Sequence, residues 1–579
     1  MKQELRQILA REEGAQVFPP GARTGFALAY PNSYYVGMSN LGMHILYAQI
    51  NGRGDTACER FFLPDGKLAA QYARSNAALL SLETQRPLYS FPLIGFAVSF
   101  EMDYFHVLEM LEQGKVKLRA SERGDRDPLV LAGGPCATFN PEPLGPFIDA
   151  FIIGEGEEFV QEFLDAYYEA SGEGLGREAL LLRLAQVEGV YVPRFYEHVY
   201  GADGILREIV PREGVPAQVR RRWVRNLDDY EGQTVIASPD TEFGGMFLLE
   251  IARGCGRHCR FCMAGYCFRK PRARSLEMLR AALPKAAQKG LKVGLMGAAV
   301  SDHPEIDALC RAVLDAKLAM SVASFRADSV TPTLVEALAE SGLKTLTLAP
   351  EAGSERLRRI INKGIGEAHL LHAIDLGAAA GIAHFRLYLM IGLPFEEDED
   401  IEAIALLAQT VKAHMEARGS RGKLTLSVNP FVPKPLTPFQ WLPMASQQDV
   451  ERRLGRIRQA AKALRGVEVI AESPKAAYVQ AVLARGDRRV GEALLAAHRM
   501  GGAKAFKRAL KTCGLDEAFY LSRLREENEV FPWNILDMGF ARRYLYQELE
   551  NARQQKATLP CFEGCTRCGV CKKAEEGGV

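Results

Sequence analysis

Short apolar runs separated by amphipathic stretches recur along most of the chain. Residues 25–30 (G-F-A-L-A-Y), 93–99 (L-I-G-F-A-V-S), 128–134 (P-L-V-L-A-G-G) and 148–154 each end at a small or turn residue, as strands of a buried sheet do. Between them, residues 41–51 and 104–112 have helical spacing, so this part is expected to form a parallel α/β domain. In such a sheet the ligand crevice lies beyond the carboxyl ends of the strands, and residues 32–35, 99–102, 133–140 and 154–157 would line it. No G-x-G-x-x-G follows the first strand, which argues against a nicotinamide site. A Rossmann-like domain without any ligand is the plain alternative.

A second series of strands is expected at residues 247–252, 292–296, 321–325, 345–349, 384–391 and 423–429, with helical stretches between them. Strand and helix alternating in this way favour a barrel or partial barrel, with functional groups at the carboxyl ends of the strands. Residues 218–239, with Arg220, Arg221, Arg222 and Arg225, read as a solvated linker. From Ser446 onward Ala, Leu, Arg and Glu at 3.6-type spacing indicate mainly helices, and Phe531 to Trp533 reads as a packed aromatic turn. The divisions are then an N-terminal extension (1–20), a Rossmann-like domain (21–170), a connecting region (171–242), a partial barrel (243–445) and a helical C-terminal domain (446–579).

With 579 residues, 47% of them hydrophobic, the chain can bury several cores. Its net charge of +1 makes no global case for a nucleic-acid or membrane partner. The most apolar region, residues 376–395, is broken by His384, Arg386 and three glycines, and residues 1–16 mix charges without an apolar run. A cytoplasmic protein is expected. Its 12 cysteines are then no disulfide framework. Cys58, Cys136, Cys310 and Cys513 are scattered and read as small buried residues.

The other eight cysteines form two groups. Cys255, Cys259 and Cys262, in C-G-R-H-C-R-F-C, follow directly on the first strand of the second series. Three thiolates at this spacing hold three irons of a 4Fe-4S cluster and leave the fourth open. The competing reading is a zinc knuckle with Cys267 as fourth ligand. Cys561, Cys565, Cys568 and Cys571 suit zinc or an all-cysteine iron-sulfur cluster, and a metal-free tail is the third reading.

The triplet, with Phe261 before its last cysteine, resembles the radical S-adenosylmethionine (SAM) superfamily. Residues 295–304 (L-M-G-A-A-V-S-D-H-P), 348–363 (L-A-P-E-A-G-S-E-R-L-R-R-I-I-N-K) and 389–396 (L-M-I-G-L-P-F-E) resemble its later motifs in the right order. Residues 128–135, 141–144 (P-E-P-L) and 154–157 (G-E-G-E) resemble the cobalamin-binding domain that precedes the barrel in one subclass. Within that subclass the likeness is to an uncharacterised group with C-terminal cysteines, and it includes residues 30–42 and 429–444.

The resemblance implies a 4Fe-4S cluster on the triplet, and SAM held by Phe261, Gly297, Ala298, Ala299, Ser324, Arg326 and Glu351. It implies cobalamin near Asn32, Tyr34, Ser99, Glu101, Gly133, Gly134, Gly154 and Glu155. The D-x-H-x-x-G signature that supplies a histidine to cobalt is absent, and His44 reads as a packed histidine. The implied activity is cobalamin-dependent methyl transfer to an unreactive carbon, in which one SAM methylates cobalamin and another yields the radical. A methylthiotransferase or radical rearrangement enzyme without cobalamin is the second reading, and an iron-sulfur electron carrier or scaffold the third. The family further implies a low-potential electron donor such as flavodoxin or ferredoxin. RNA, protein and small-molecule substrates stay open, since basic positions such as Lys504, Lys507, Arg508 and Lys511 are routine on helix surfaces.

Overall fold

The computed structural model describes residues 1–571. The first domain is built on β1 (Thr24–Tyr30), β2 (Thr56–Phe62), β3 (Leu93–Ala97), β4 (Leu129–Gly133), β5 (Ala150–Ile152) and β6 (Val190–Tyr191). They form one sheet in the order β2-β1-β3-β4-β5-β6, parallel except for β6. The order reverses between β1 and β3, the point at which such sheets open a crevice. Helices Leu41–Asn51 and Gly156–Gly172 lie against one another over this sheet. The first is capped by Asn40, whose side chain accepts from the Met43 amide.

Strand β2 carries no clear strand signal because Glu59 and Arg60 interrupt it. Both are nonetheless buried, and Arg60 is held by Glu12 (2.6 Å) and Glu83 (2.7 Å), so residues before and after the strand neutralise its charge. The N-terminal segment is therefore part of this domain's packing, and its Glu13 also pairs with Ala237.

The second domain contains β7 (Met246–Glu250), β8 (Lys292–Met296), β9 (Met320–Ser321), β10 (Thr345–Glu351), β11 (His384–Ile391), β12 (Leu424–Pro430) and β13 (Val467–Ala471). They pair in parallel and in sequence order as sheets of three and four strands, joined by a bridge between Phe325 and Leu348. This is a partial barrel. Along β11 the residues alternate: Phe385, Leu387, Leu389 and Ile391 enter the core beneath the helices, while His384, Arg386, Tyr388 and Met390 take the other face. Beyond Ser446 the chain is mainly helical, as expected, and strand β13 is an exception. Its V-E-V-I-A alternates half-buried and exposed positions, as an edge strand does, and it is too short to register against the long helices beside it.

The remaining C-terminal helices return to the first domain and share its core. Asn140 donates to the carbonyls of Ala484 (3.0 Å) and Gly486 (2.8 Å), and Arg488 pairs with buried Glu142 at 2.9 Å. Trp533 stacks on Phe531 and donates to Gln440, which is packing as expected. Lys504, Lys507, Arg508 and Lys511 are exposed, and Lys507 is paired with Glu517. Among the described residues, no helix is long and apolar enough to cross a membrane.

The structure corrects the expected solvated linker in part: Arg220 and Arg225 are exposed, but Arg221 and Arg222 are not. Arg221 is buried and donates to the Arg269 carbonyl, and Arg222 pairs with Glu162 (2.7 Å) and bridges to Gly154. A run of arginines looks solvated in sequence because the carboxylates and carbonyls that receive it are distant along the chain.

Candidate active site

The chain leaves β7 at Glu250 and enters a loop bearing Cys255, Cys259 and Cys262 at the carboxyl end of the barrel. Gly254, at φ +79, makes the turn, and an added Cβ there would meet the Phe268 carbonyl oxygen at 2.1 Å. Cys259 acts electrostatically on both other thiols, so the three sulfurs face one region. Burial, with Cys259 adding to it, pushes the Cys262 thiol up to about 12. Burial raises Cys255 as well, so Cys255 and Cys262 hold their protons at neutral pH until a metal displaces them. Among the described residues, no set of three or more His, Cys, Asp or Glu side chains is already closed to metal-binding distances. The donor set of three thiols fits an iron-sulfur cluster with one open iron.

Cationic groups surround the loop. The Arg326 guanidinium lies 3.9 Å from the Cys259 sulfur and is fixed by Asp328 and by the Lys363 carbonyl at 2.7 Å. Lys363 pairs with Glu351 at 3.0 Å and sits 6.0 Å from the centre of the Phe261 ring. Arg257 bridges Asp302 (2.7 Å) and Asp328 (3.0 Å). The backbone of Gly297 and Ala298 is exposed just past β8, and Ser324 is half-buried beside the Phe325 bridge. Thus Arg326 and Glu351 are brought to the thiol loop, but each already has a partner. Lys363 and Arg257 were missed as site residues. Their only signal was position, at the end of the 348–363 motif and inside the cysteine triplet.

On the other side of the same loop lies a cavity of about 300 Å³. Its floor is the sheet face carrying Phe26, Leu28, Gly95, Leu131, Gly133 and Ile152, and helices Leu41–Asn51 and Gly156–Gly172 roof it. Its mouth includes Glu155 and Glu157 of the first domain and Glu250, Arg253 and Phe268 of the second. Arg253 bonds Glu157 (2.6 Å), Glu250 (2.8 Å) and Glu155 (3.1 Å), and Arg272 clasps Glu155 with two bonds of 2.6 and 2.8 Å. A buried ion network therefore fixes the crevice of one domain against the thiol loop of the other.

Two models of known families match the chain: "Radical SAM proteins, N-terminal" over residues 42–193 and "Radical SAM superfamily" over residues 249–408. An uncharacterized protein of Methanocaldococcus jannaschii is 31% identical over 477 residues, 81% of this chain and 90% of its own. The chain belongs to the radical SAM superfamily. An uncharacterized methyltransferase of Pyrococcus horikoshii is 26% identical over 296 residues, 48% of this chain and 58% of its own. Among solved structures, TsrM from Kitasatospora setae with cobalamin and a [4Fe-4S] cluster bound aligns at a TM-score of 0.44 and 15% identity, covering 70% of this chain and 72% of that chain.

A radical SAM enzyme uses a 4Fe-4S cluster and SAM, and the three thiols of this loop are a donor set that suits the cluster. Cys267 is fully buried in the core, with its thiol pushed up to about 12 by burial. Of the residues proposed for cobalamin, Ser99, Gly133, Gly134, Gly154 and Glu155 line the cavity. Asn32, Tyr34 and Glu101 do not: Asn32 donates to Asp103, Tyr34 to Glu12, and Glu101 is paired with Lys434. The carboxyl ends of strands locate a crevice only to within a loop, and these three side chains turn into other contacts. Among the described residues, no histidine lines the cavity. His44 is buried in its roof helix, with Nε2 3.1 Å from the Met38 carbonyl and Nδ1 accepting from Ile236.

Gly133 tests whether the cavity suits a ligand. Its φ is not positive, and an added Cβ would meet Ile152 at an ordinary 3.5 Å. Neither backbone nor packing demands glycine there, so the open space is a cradle. Gly154 differs: its φ is +115 and a Cβ would sit 2.1 Å from the Arg222 carbonyl oxygen.

Proposed function

We propose that this radical SAM enzyme uses cobalamin to transfer a methyl group to an unreactive carbon. The observation that carries the reading is the shared mouth: Glu250, Arg253 and Phe268 from the cluster domain close the cavity of the first domain. A group held there would lie against the segment that leads into Cys255. The apolar floor suits an aromatic or hydrocarbon part of a large cofactor, and Gly133 lets such a group approach the backbone closely. The likeness to a relative named as a methyltransferase supports the same reading. With cluster and SAM bound, one electron cleaves SAM to methionine and a 5'-deoxyadenosyl radical.

The chain's own residues would orient these groups. Arg326 and Lys363 place positive charge beside Cys259, which offsets the negative charge of three thiolates. Glu351, Ser324 and the backbone of exposed Gly297 and Ala298 and half-buried Ala299 offer polar atoms for SAM. Among the described residues that line the cavity none is a histidine, so the chain offers no imidazole there to a bound cofactor.

The test is anaerobic reconstitution with iron, sulfide and hydroxocobalamin, followed by SAM bearing a trideuterated methyl group and a reductant. Stoichiometric cobalamin and transfer of label to cobalamin support the reading. Production of 5'-deoxyadenosine without bound cobalamin would refute it and leave a methylthiotransferase, whose product carries added sulfur. That second reading is favoured by the four C-terminal thiols beside the site.

A further inference from the structure

The C-terminal cysteines dock on the outside of the thiol loop. The Cys561 amide donates to the Gly256 carbonyl at 2.8 Å, and an added Cβ on Gly256 would lie 3.2 Å from that of Cys561. The Cys561 sulfur is 3.3 Å from Nε2 of His258, whose Nδ1 is 2.6 Å from the Tyr544 hydroxyl. Gly256 follows Cys255 in sequence and His258 precedes Cys259, so the two sulfur groups are separated by single residues. Cys565 and Cys568 are buried, and with Cys571 they stand close enough to act electrostatically on Cys561.

The tail reaches this place without needing a metal. Cys568 and Val570 pack with Tyr266 and Tyr544, and the Ala541 amide donates to the Cys568 carbonyl at 2.8 Å. Asn362 exchanges bonds of 3.0 and 2.9 Å with Thr558, and Arg260 donates to the Lys556 carbonyl at 2.6 Å. A structural zinc would duplicate this anchoring. Zinc sites also usually draw two C-x2-C arms from separate stretches of chain, whereas these four thiols lie in one run at spacings of three, two and two residues. Gaps of two and three residues between thiols recur in iron-sulfur runs. Beside Cys561, Leu559 and Phe562 are 68% and 65% exposed and offer an apolar foothold for a protein donor.

We propose that Cys561, Cys565, Cys568 and Cys571 hold a second 4Fe-4S cluster that relays single electrons to the cluster on Cys255, Cys259 and Cys262 across the Cys561–Gly256 contact. This rests on the radical SAM assignment and is independent of cobalamin. A reduced ferredoxin- or flavodoxin-class protein gives one electron to the C-terminal cluster, which passes it to the triplet cluster. That electron enters the C5'–S bond of SAM, which breaks to methionine and the 5'-deoxyadenosyl radical. One donor is oxidised per SAM cleaved, and no proton is transferred.

The experiment uses the full chain, reconstituted anaerobically and assayed for iron, sulfide and zinc, with electron paramagnetic resonance after reduction. Two 4Fe-4S clusters this close should give a mutually broadened spectrum. The Cys565→Ser/Cys568→Ser variant and the Cys255→Ala/Cys259→Ala/Cys262→Ala variant should each lose about four irons per chain and show one unbroadened signal. The second variant leaves the tail intact and guards against misfolding of the first. Gly256→Val, whose added side chain presses on Cys561, should lower the SAM cleavage driven by reduced flavodoxin relative to that driven by dithionite. Zinc at the C-terminal thiols, two spectra that simply add, or an unchanged ratio in Gly256→Val would overturn the relay. Absence of SAM cleavage with dithionite in the intact protein would instead overturn the chemistry on which it rests.

Discussion

Filling the cradle at Gly133 separates the cavity from the fold that surrounds it. Replacing Gly133 by Phe adds a ring to the sheet face that also bears Leu131 and Ile152, and so directs it into the cavity of about 300 Å³. A buried aromatic ring removes about 150 Å² from water, worth about 4 kcal/mol before costs. Lost side-chain freedom and imperfect packing reduce this to a gain of about 0.5–2 kcal/mol, the usual range for filling a cavity. The variant should therefore unfold in denaturant no earlier than the parent protein. Cobalamin, read from its visible absorbance after gel filtration, should no longer co-elute, while iron content stays the same. Stoichiometric cobalamin on the variant would show that the cofactor sits elsewhere. A loss of more than about 1 kcal/mol would show that the space is not free, since overpacking typically costs 1–3 kcal/mol.

Acid should find His44 early. Burial holds it down to about 4, and its Nδ1 accepts from the Ile236 amide, so a proton has no place there. Between pH 6.5 and about 4 the unfolded chain binds the proton and the folded chain does not. Stability from this group is thus present above pH 6.5 and lost as pH falls, by about 3 kcal/mol in all. His44→Gln should flatten that slope in denaturation series across the window, and an unchanged slope would discard the assignment. Arg272→Met strips Glu155 of its bidentate partner and should cost about 3 kcal/mol, tempered by Arg253; a loss under about 1 kcal/mol in chemical denaturation would contradict the network's role. Gly154→Ala meets both the left-handed backbone and the Arg222 carbonyl and should cost at least about 2 kcal/mol, with less soluble protein as the simplest readout. Cys259→Ala should abolish 5'-deoxyadenosine formation and most iron at the triplet; nucleoside formation at the parent rate would remove these thiols from the chemistry.

The sequence by itself determined the chemistry and most of the architecture. Strands buried on both faces are largely apolar, so β1, β3, β4 and β8 were legible as runs, β11 as an alternation, and helix Leu41–Asn51 with its limits. The thiol triplet was legible because an iron-sulfur loop needs its ligands close along the chain. Strands β2 and β13 were not, since one hides charges that Glu12 and Glu83 neutralise from afar and the other is a short edge. Only the tertiary structure decided that Arg221 of the arginine run is interior, that Asn32, Tyr34 and Glu101 turn away from the cavity, and that Lys363 and Arg257 join the thiol loop. Only it placed Cys561 on Gly256, about 300 positions earlier in the chain. Local patterns record what each segment buries. Which distant segment meets it is settled by pairing charges and closing cores over the whole chain, and no window of sequence contains both partners.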